Sequence, residues 1–226
     1  IGARTRFDSM IAVKANTVGY VQHIDMQALS GLAESIEGEI YFLLNPGEFV
    51  YGDTTLAYLD LPLTKRLEDI KPDDAVRRTV TIGHERSFDQ DPRFGLVVLS
   101  ETAQRALSPA VNDPGTAIDV IGRATRLLSR WAEPTDAPEP EFPRVFVPPV
   151  TANDLFEDAF MTIARDGAGQ VEVQLRLQKS LSALSRLGQG EFREAARSQA
   201  ALALSRAEKS MPIEADFKRL RDDLNN

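Results

Sequence analysis

The 226-residue chain has no cysteine, which removes disulfides, thiolate nucleophiles and zinc–sulfur sites together. It has two histidines, His23 and His84. His84 opens HERSF, which is not the HExxH of a zinc protease, so a zinc site or triad would need both histidines to converge from distant segments. Basic residues are in the minority, with 26 Lys and Arg against 34 Asp and Glu, a net charge of −8. A nucleic-acid surface needs a basic stripe that displaces counterions, and an anionic bilayer surface needs the same attraction, so both partners are disfavoured. Long apolar runs are lacking too. LVVL at 96–99 stops at Ser100 and Glu101, far short of the ~20 residues that span a bilayer. GxSxG, the Walker lysine motif and GxGxxG are all missing, and GAGQ at 167–170 reads as a turn between helices. The start, IGARTRFD, has neither an initiator methionine nor a signal pattern and reads as cut from a longer protein.

What is present divides into a β-rich first third and a helical remainder. MIAVKA, TVGYVQHI, EIYFLL, EFVYGD and TLAYLDL are short runs rich in β-branched and aromatic residues, with glycines at 19, 38, 47 and 52 where strand ends favour positive φ. Asp25 is placed to cap a helix carrying Met26, Leu29, Ala33 and Ile36 on one face. KRLEDIKPDDAVRR (65–78) reads as an exposed charged connector with room for a helical turn, and TVTIG (79–83) as the last strand. PGEFVYGDTTLAYLD is similar to the second half of barrel-sandwich hybrids, the fold of lipoyl and biotinyl carriers. A carrier needs a lysine at an exposed hairpin tip, and residues 15–64 contain none, so no attached cofactor is expected.

Beyond residue 83 the period becomes helical. Asp91-Pro92 and Asp113-Pro114 are helix starts, an N-cap followed by proline where its missing N–H costs nothing. The first helix, 92–107, aligns Leu96, Leu99, Ala103 and Leu107. The second aligns Ala117, Ile121, Ala124, Leu128 and Trp131, with Asp119 and Arg123 as an exposed i,i+4 pair. The two should pack as a hairpin. Residues 132–150 hold six prolines and read as a linker with one short strand at RVFV. Thr151 and Asp154 form a capping box before a helix with Phe156, Phe160 and Ile163 inward. VEVQLRLQKSLSALSRL begins with an alternating pattern but keeps a leucine stripe (Val173, Leu177, Leu181, Leu184, Leu187) that fits a helix over a longer window. An alanine-rich helix, 191–209, and a polar one after Pro212 complete the chain. The expected class is α+β, a small barrel-sandwich-like β module at 1–83 followed by a helical domain at 84–226 (hairpin 92–131, linker 132–150, helices 151–224).

Two polar constellations stand out. ERSFDQDPRF (85–94) supplies Arg86, Asp89, Gln90 and Asp91; RALSPAVNDPGTA (105–117) supplies Arg105, Ser108, Asn112, Asp113 and Thr116. They fall at the two ends of the first helix, about 20 Å apart at 1.5 Å per residue, so two separate clusters are the simpler picture. Asp91 and Asp113 have a structural role as caps, but Arg105, Ser108 and Asn112 exceed what a turn requires. These nine residues are the candidate binding positions; Asp89 and Asp91 with no third ligand do not make a metal site.

The run GHERSFDQDPRFGLVVLSETAQRALSPAVNDPGTAIDVI, with GYVQHID, PGEFVYGD and FEDAFMTIARDG, resembles a bacterial predicted-membrane-protein family, domain of unknown function twenty-two fifty-four. The matching positions are Arg86, Gln90, Asp91, Arg105, Ser108, Pro109, Asn112, Asp113 and Pro114, and the family assigns them no role. The resemblance implies several transmembrane helices ahead of a soluble part that lies on the cytoplasmic side of the bacterial inner membrane. The expected role is a regulatory, ligand-sensing or assembly module, and no cofactor is expected. Rivals are a soluble gate or vestibule of a channel-like protein, and an enzyme with a polar Asp/Arg/Asn site, the reading the sequence favours least. Small side chains in the last helices make a homo-oligomer plausible.

Overall fold

The computed structural model describes residue 7 and residues 10–62, 72–133 and 139–224. The described residues fall into two units, one within Ile1–Phe94 and Ala137–Pro149, the other within Gly95–Asp136 and Val150–Asn226. The class is α+β, with β-sheets first and a helical region after them.

Unit 1 holds β1 (Ile11–Lys14), β2 (Gly19–Ile24), α1 (Met26–Ser35), β3 (Glu39–Phe42), β4 (Phe49–Val50), β5 (Thr55–Asp60), α2 (Pro72–Arg78), β6 (Val80–Gly83) and β7 (Val145–Phe146). The strands form a four-stranded sheet in the order β1-β5-β3-β7 and a three-stranded sheet in the order β4-β2-β6. Buried residues of both sheets, Val13, Val21, Ile40, Val50, Leu56 and Leu59 among them, share one core with Leu29 and Ala33 of α1. β2 starts with the period-two pattern of a half-buried strand, whereas Ile40, Tyr41 and Phe42 of β3 are buried in succession. Asp25 caps α1 as its sequence predicts, accepting from the Ala28 N–H at 2.9 Å.

Three readings change here. TVTIG is not the last strand: β7 joins the sheet beside β3 in parallel, with Ile40 opposite Val145. Residues 72–78 of the expected connector are a helix whose Val76 is fully buried in the core; residues 65–71 of that segment lie outside the described residues. Of the four strand-end glycines, Gly38 and Gly52 have no positive φ; Gly38 is required by crowding instead, since a Cβ there would lie 2.3 Å from the Asp60 carbonyl oxygen.

Helix α3 (Pro92–Ala106) starts in unit 1 and continues into unit 2, which also holds α4 (Pro114–Trp131), α5 (Ala152–Asp166), α6 (Val171–Leu187), α7 (Gly190–Ser210) and α8 (Glu214–Leu224). In unit 2, α4 packs on α6, α6 on α7, α7 on α5 and α5 on α4, so four helices close a ring; α8 rests against α6. Their stripes meet in one core, with Ile121 and Leu128 from α4, Phe156, Phe160 and Ile163 from α5, Leu177, Leu181 and Leu184 from α6, and Phe192, Ala196 and Ala203 from α7. On α3, the Ser100 hydroxyl hydrogen-bonds that of Thr162 on α5. The stripe ends earlier than its spacing suggests: Trp131 is 49% exposed and Leu187 59% exposed, because each is the last residue of its helix. The α7 alanines at 195, 196, 203 and 207 are buried inside the unit. They are therefore not the surface a second copy would use.

Candidate functional site

The first constellation is a clamp within unit 1. Arg86 donates from Nε at 2.8 Å and from its second terminal nitrogen at 2.7 Å, both to Oδ2 of Asp91. The Asp91 side chain is 1% exposed and that of Arg86 21%. The other carboxylate oxygen, Oδ1, accepts from the Phe94 N–H at 3.0 Å and so caps α3, and the Arg86 guanidinium lies 4.9 Å from the centre of the Phe94 ring. A charge-assisted fork, a helix cap and a cation–π contact thus converge on one buried carboxylate. Gly47 forms its floor. Its φ is +94°, and a Cβ there would lie 2.0 Å from Asp91 Oδ2.

Gln90 uses both ends of its amide on β2. Its Oε1 accepts from the Ile24 N–H at 2.8 Å and its Nε2 donates to the Ile24 carbonyl at 3.2 Å. Gln22 of the same strand donates to the Glu85 carbonyl at 2.7 Å. Asp89 is exposed, and its N–H reaches the Ser87 hydroxyl at 3.3 Å. Arg86, Gln90 and Asp91 are therefore brought together, with their polar atoms engaged by each other and by backbone; Asp89 stands outside the clamp.

The second constellation belongs to unit 2 and is a closed turn between α3 and α4. Ser108 donates its hydroxyl to the Arg105 carbonyl at 2.7 Å, which satisfies a helix-end acceptor. Asn112 takes φ +46°, a left-handed conformation that asparagine tolerates better than most residues, and the Asp113 N–H then closes the loop on the Ala106 carbonyl at 2.8 Å. The turn therefore does use Ser108 and Asn112. Arg105 is exposed. Asp113 caps α4 twice, accepting from the Thr116 N–H at 3.1 Å and its hydroxyl at 2.6 Å.

These bonds from Thr116, the hydroxyl first, hold the Asp113 carboxyl below the ordinary 3.8 despite full exposure. A depressed folded-state value contributes stability that is present above the unfolded value and is lost as pH falls through the folded one. Thr116→Val removes the hydroxyl, so the Asp113 titration should move up toward 3.8. Carboxyl-carbon NMR against pH reads this directly; an unchanged midpoint would show that the hydroxyl bond does not form in solution.

Immediately after the turn, one face of α4 opens into a groove of about 530 Å³ lined by Gly115, Ile118, Asp119, Gly122, Arg123, Arg126 and, from α6, Arg176. Gly115, Ile118, Gly122 and Arg126 recur at the spacing of one helical face. A Cβ on Gly122 would meet nothing within 4 Å, so the missing side chain helps keep the groove open. Arg123 is paired with Asp119 at 2.7 Å. Arg126 and Arg176 are exposed, and their side chains have no hydrogen-bond or ion-pair partner among the described residues. Sequence reasoning took Asp119 and Arg123 as a surface pair and passed over Arg126 and Arg176. The signal was local, a glycine pair seven apart beside two arginines, but the contribution of α6 needs the fold. Among the described residues no group of three His, Asp or Glu could hold a metal ion.

Comparison with known proteins places this architecture. The family model described as "Predicted membrane protein (DUF2254)" matches residues 3–183. The chain belongs to this family. It is also similar to the uncharacterized protein Rv1290c of Mycobacterium tuberculosis and the uncharacterized protein Mb1321c of Mycobacterium bovis, each 59% identical over 44 residues. That stretch is 20% of this chain and 8% of each relative's length. No solved structure matches the chain. Among the described residues of this DUF2254 chain, no helix is long and apolar enough to cross a membrane.

Proposed function

We propose that this chain is a regulatory module held outside the bilayer, on the cytoplasmic side of a bacterial inner membrane, and that it senses a small anion through the α4/α6 groove. The family's description as predicted membrane proteins supports the membrane context. The groove carries the ligand-sensing part: in a chain of net charge −8, the side chains of Arg126 and Arg176 line one concavity without an ion pair among the described residues, while the lining acid Asp119 is taken up by Arg123. Arginine presents a fixed fork of donors suited to phosphate or carboxylate, and the local cationic field counts against an acidic background. Arg105, Ser108, Asn112, Asp113 and Thr116 then set the start of α4 and hence the mouth of the groove. Arg86, Gln90 and Asp91 belong to the proposal as the anchor of α3, with no ligand of their own, and exposed Asp89 takes no part in it.

The test is a thermal-shift and calorimetric titration with pyrophosphate at constant ionic strength, chloride serving as the control. Pyrophosphate should raise the melting temperature of unit 2, read at Trp131, and bind saturably. The Arg126→Ala/Arg176→Ala variant should lose affinity by about a hundredfold, since a charge-assisted hydrogen bond contributes about 1.5–3 kcal/mol. Equal shifts for wild type and variant would defeat the reading.

A further inference from the structure

A second groove, of about 410 Å³, runs along the seam between α5 and α7. Its apolar lining includes Phe156, Met161, Ala195 and Leu202. Leu202 is 51% exposed, so its side chain is open to an occupant of the groove. Two donors on α7 share this lining, Gln199 and Arg206. They are seven residues apart and so lie on one helical face, and long helical side chains lean toward the N-terminus, bringing the Arg206 head back toward Gln199.

Each carries a buried donor atom without a partner among the described residues, although Arg206 as a whole is half-buried. Gln199 is 7% exposed, and the unpaired donor is its Nε2. One terminal nitrogen of Arg206 is likewise shut off from solvent without an acceptor. Buried polar groups are paired as a rule, and a guanidinium N–H is among the costliest to leave unmet. Two such donors, a neutral amide and a cation, above an apolar floor form a polar anchor beside a greasy bed. That is the usual anatomy of a small-molecule site, mostly apolar with a few placed polar groups.

We propose that the α5/α7 groove binds a small organic carboxylate with an apolar body, its carboxylate on Arg206 and Gln199 and its body on Phe156, Met161 and Leu202. The charge selects the ligand class. Arg206 favours an anion over an alcohol or an amine, and a planar carboxylate meets a guanidinium with two parallel bonds. Exposed Glu157 on the α5 rim discourages a ligand of higher negative charge, which separates this site from the arginine-lined α4/α6 groove.

The probe is sodium octanoate, titrated by calorimetry into the whole chain with octanol and octylamine as matched controls. Octanoate should bind saturably and at least about tenfold more tightly than either control. Arg206→Met keeps the apolar length and removes the donors; it should cut octanoate affinity about tenfold or more while leaving octanol unchanged. Gln199→Met should do the same to a smaller degree. The Arg126→Ala/Arg176→Ala variant should bind octanoate like wild type, so this site and the anion groove stand or fall separately. Equal affinity for octanoate and octanol, or an Arg206→Met variant that folds and binds octanoate as well as wild type, would overturn the assignment.

Discussion

Gly47→Ala is expected to destabilise unit 1 by about 2–6 kcal/mol, the sum of a left-handed backbone at a non-glycine residue and overpacking of a filled site. Two independent faults coincide at this position. The φ of +94° disfavours any L side chain, and the added Cβ would lie 2.0 Å from Asp91 Oδ2 and 2.8 Å from an Arg86 nitrogen. The clash is with a carboxylate that has nowhere to go, since its oxygens already hold Arg86 and the Phe94 N–H. The Gly47 N–H also bonds the Val21 carbonyl at 2.7 Å, so the loop cannot move away without breaking its tie to β2. All four tyrosines (20, 41, 51 and 58) lie in unit 1 and the one tryptophan, Trp131, in unit 2. Urea unfolding followed in the tyrosine band should therefore show a lowered midpoint for unit 1. A midpoint within experimental error of wild type would mean that the 45–48 turn does not floor the clamp.

The second large effect is at Asp91. Asp91→Ala removes the partner of Arg86 and the cap of α3 in one step. Breaking a buried ion pair by deleting one member costs about 3–5 kcal/mol, and losing a cap about 1 kcal/mol. The loss should fall near the lower end, about 3–4 kcal/mol in all, because Arg86 keeps a fifth of its side chain in water. Asp91→Asn should cost less, since its amide oxygen can still cap the Phe94 N–H. Arg86→Ala should be at least as damaging as Asp91→Asn, because it leaves a carboxylate that is 1% exposed without its cation. A double-mutant cycle between the two positions should give a coupling of about 1–3 kcal/mol. Additive single effects would show that the pair seen in the fold does not operate as one.

How much of this was legible in the sequence depends on the distance over which each feature is decided. The caps at Asp25, Asp113 and Thr151 are local, made within three residues, and their residue types announce them. The leucine stripe of 171–187 outweighed its alternating start because burial of Val173, Leu177, Leu181 and Leu184 in one core favours the helical period. The clamp was half legible: Arg86, Gln90 and Asp91 could be singled out, but Gly47 and Ile24, which complete it, come from the β3–β4 turn and from β2. β7 escaped notice as a sheet member because two residues suffice for it and its partner Ile40 is far away in the chain. The turn at 105–117 looked richer than a turn needs. Two of its extra polar groups, Ser108 and Asn112, meet what a sharp reversal demands, a helix-end carbonyl to satisfy and a left-handed residue to supply. Arg176 and the α5/α7 seam depend on which helices touch, and no window of sequence contains that.

The central claim is that this DUF2254 chain reads an anion with its α4/α6 groove and uses its 85–94 cluster for structure alone. Backbone and arginine side-chain NMR during a pyrophosphate titration tests both halves at once. The account predicts saturable shifts at the Gly115 and Gly122 amides and the Arg126 and Arg176 guanidinium signals, with Arg86 and Gln90 unmoved. Saturable shifts at Arg86 and Gln90, with the groove signals stationary, would contradict it.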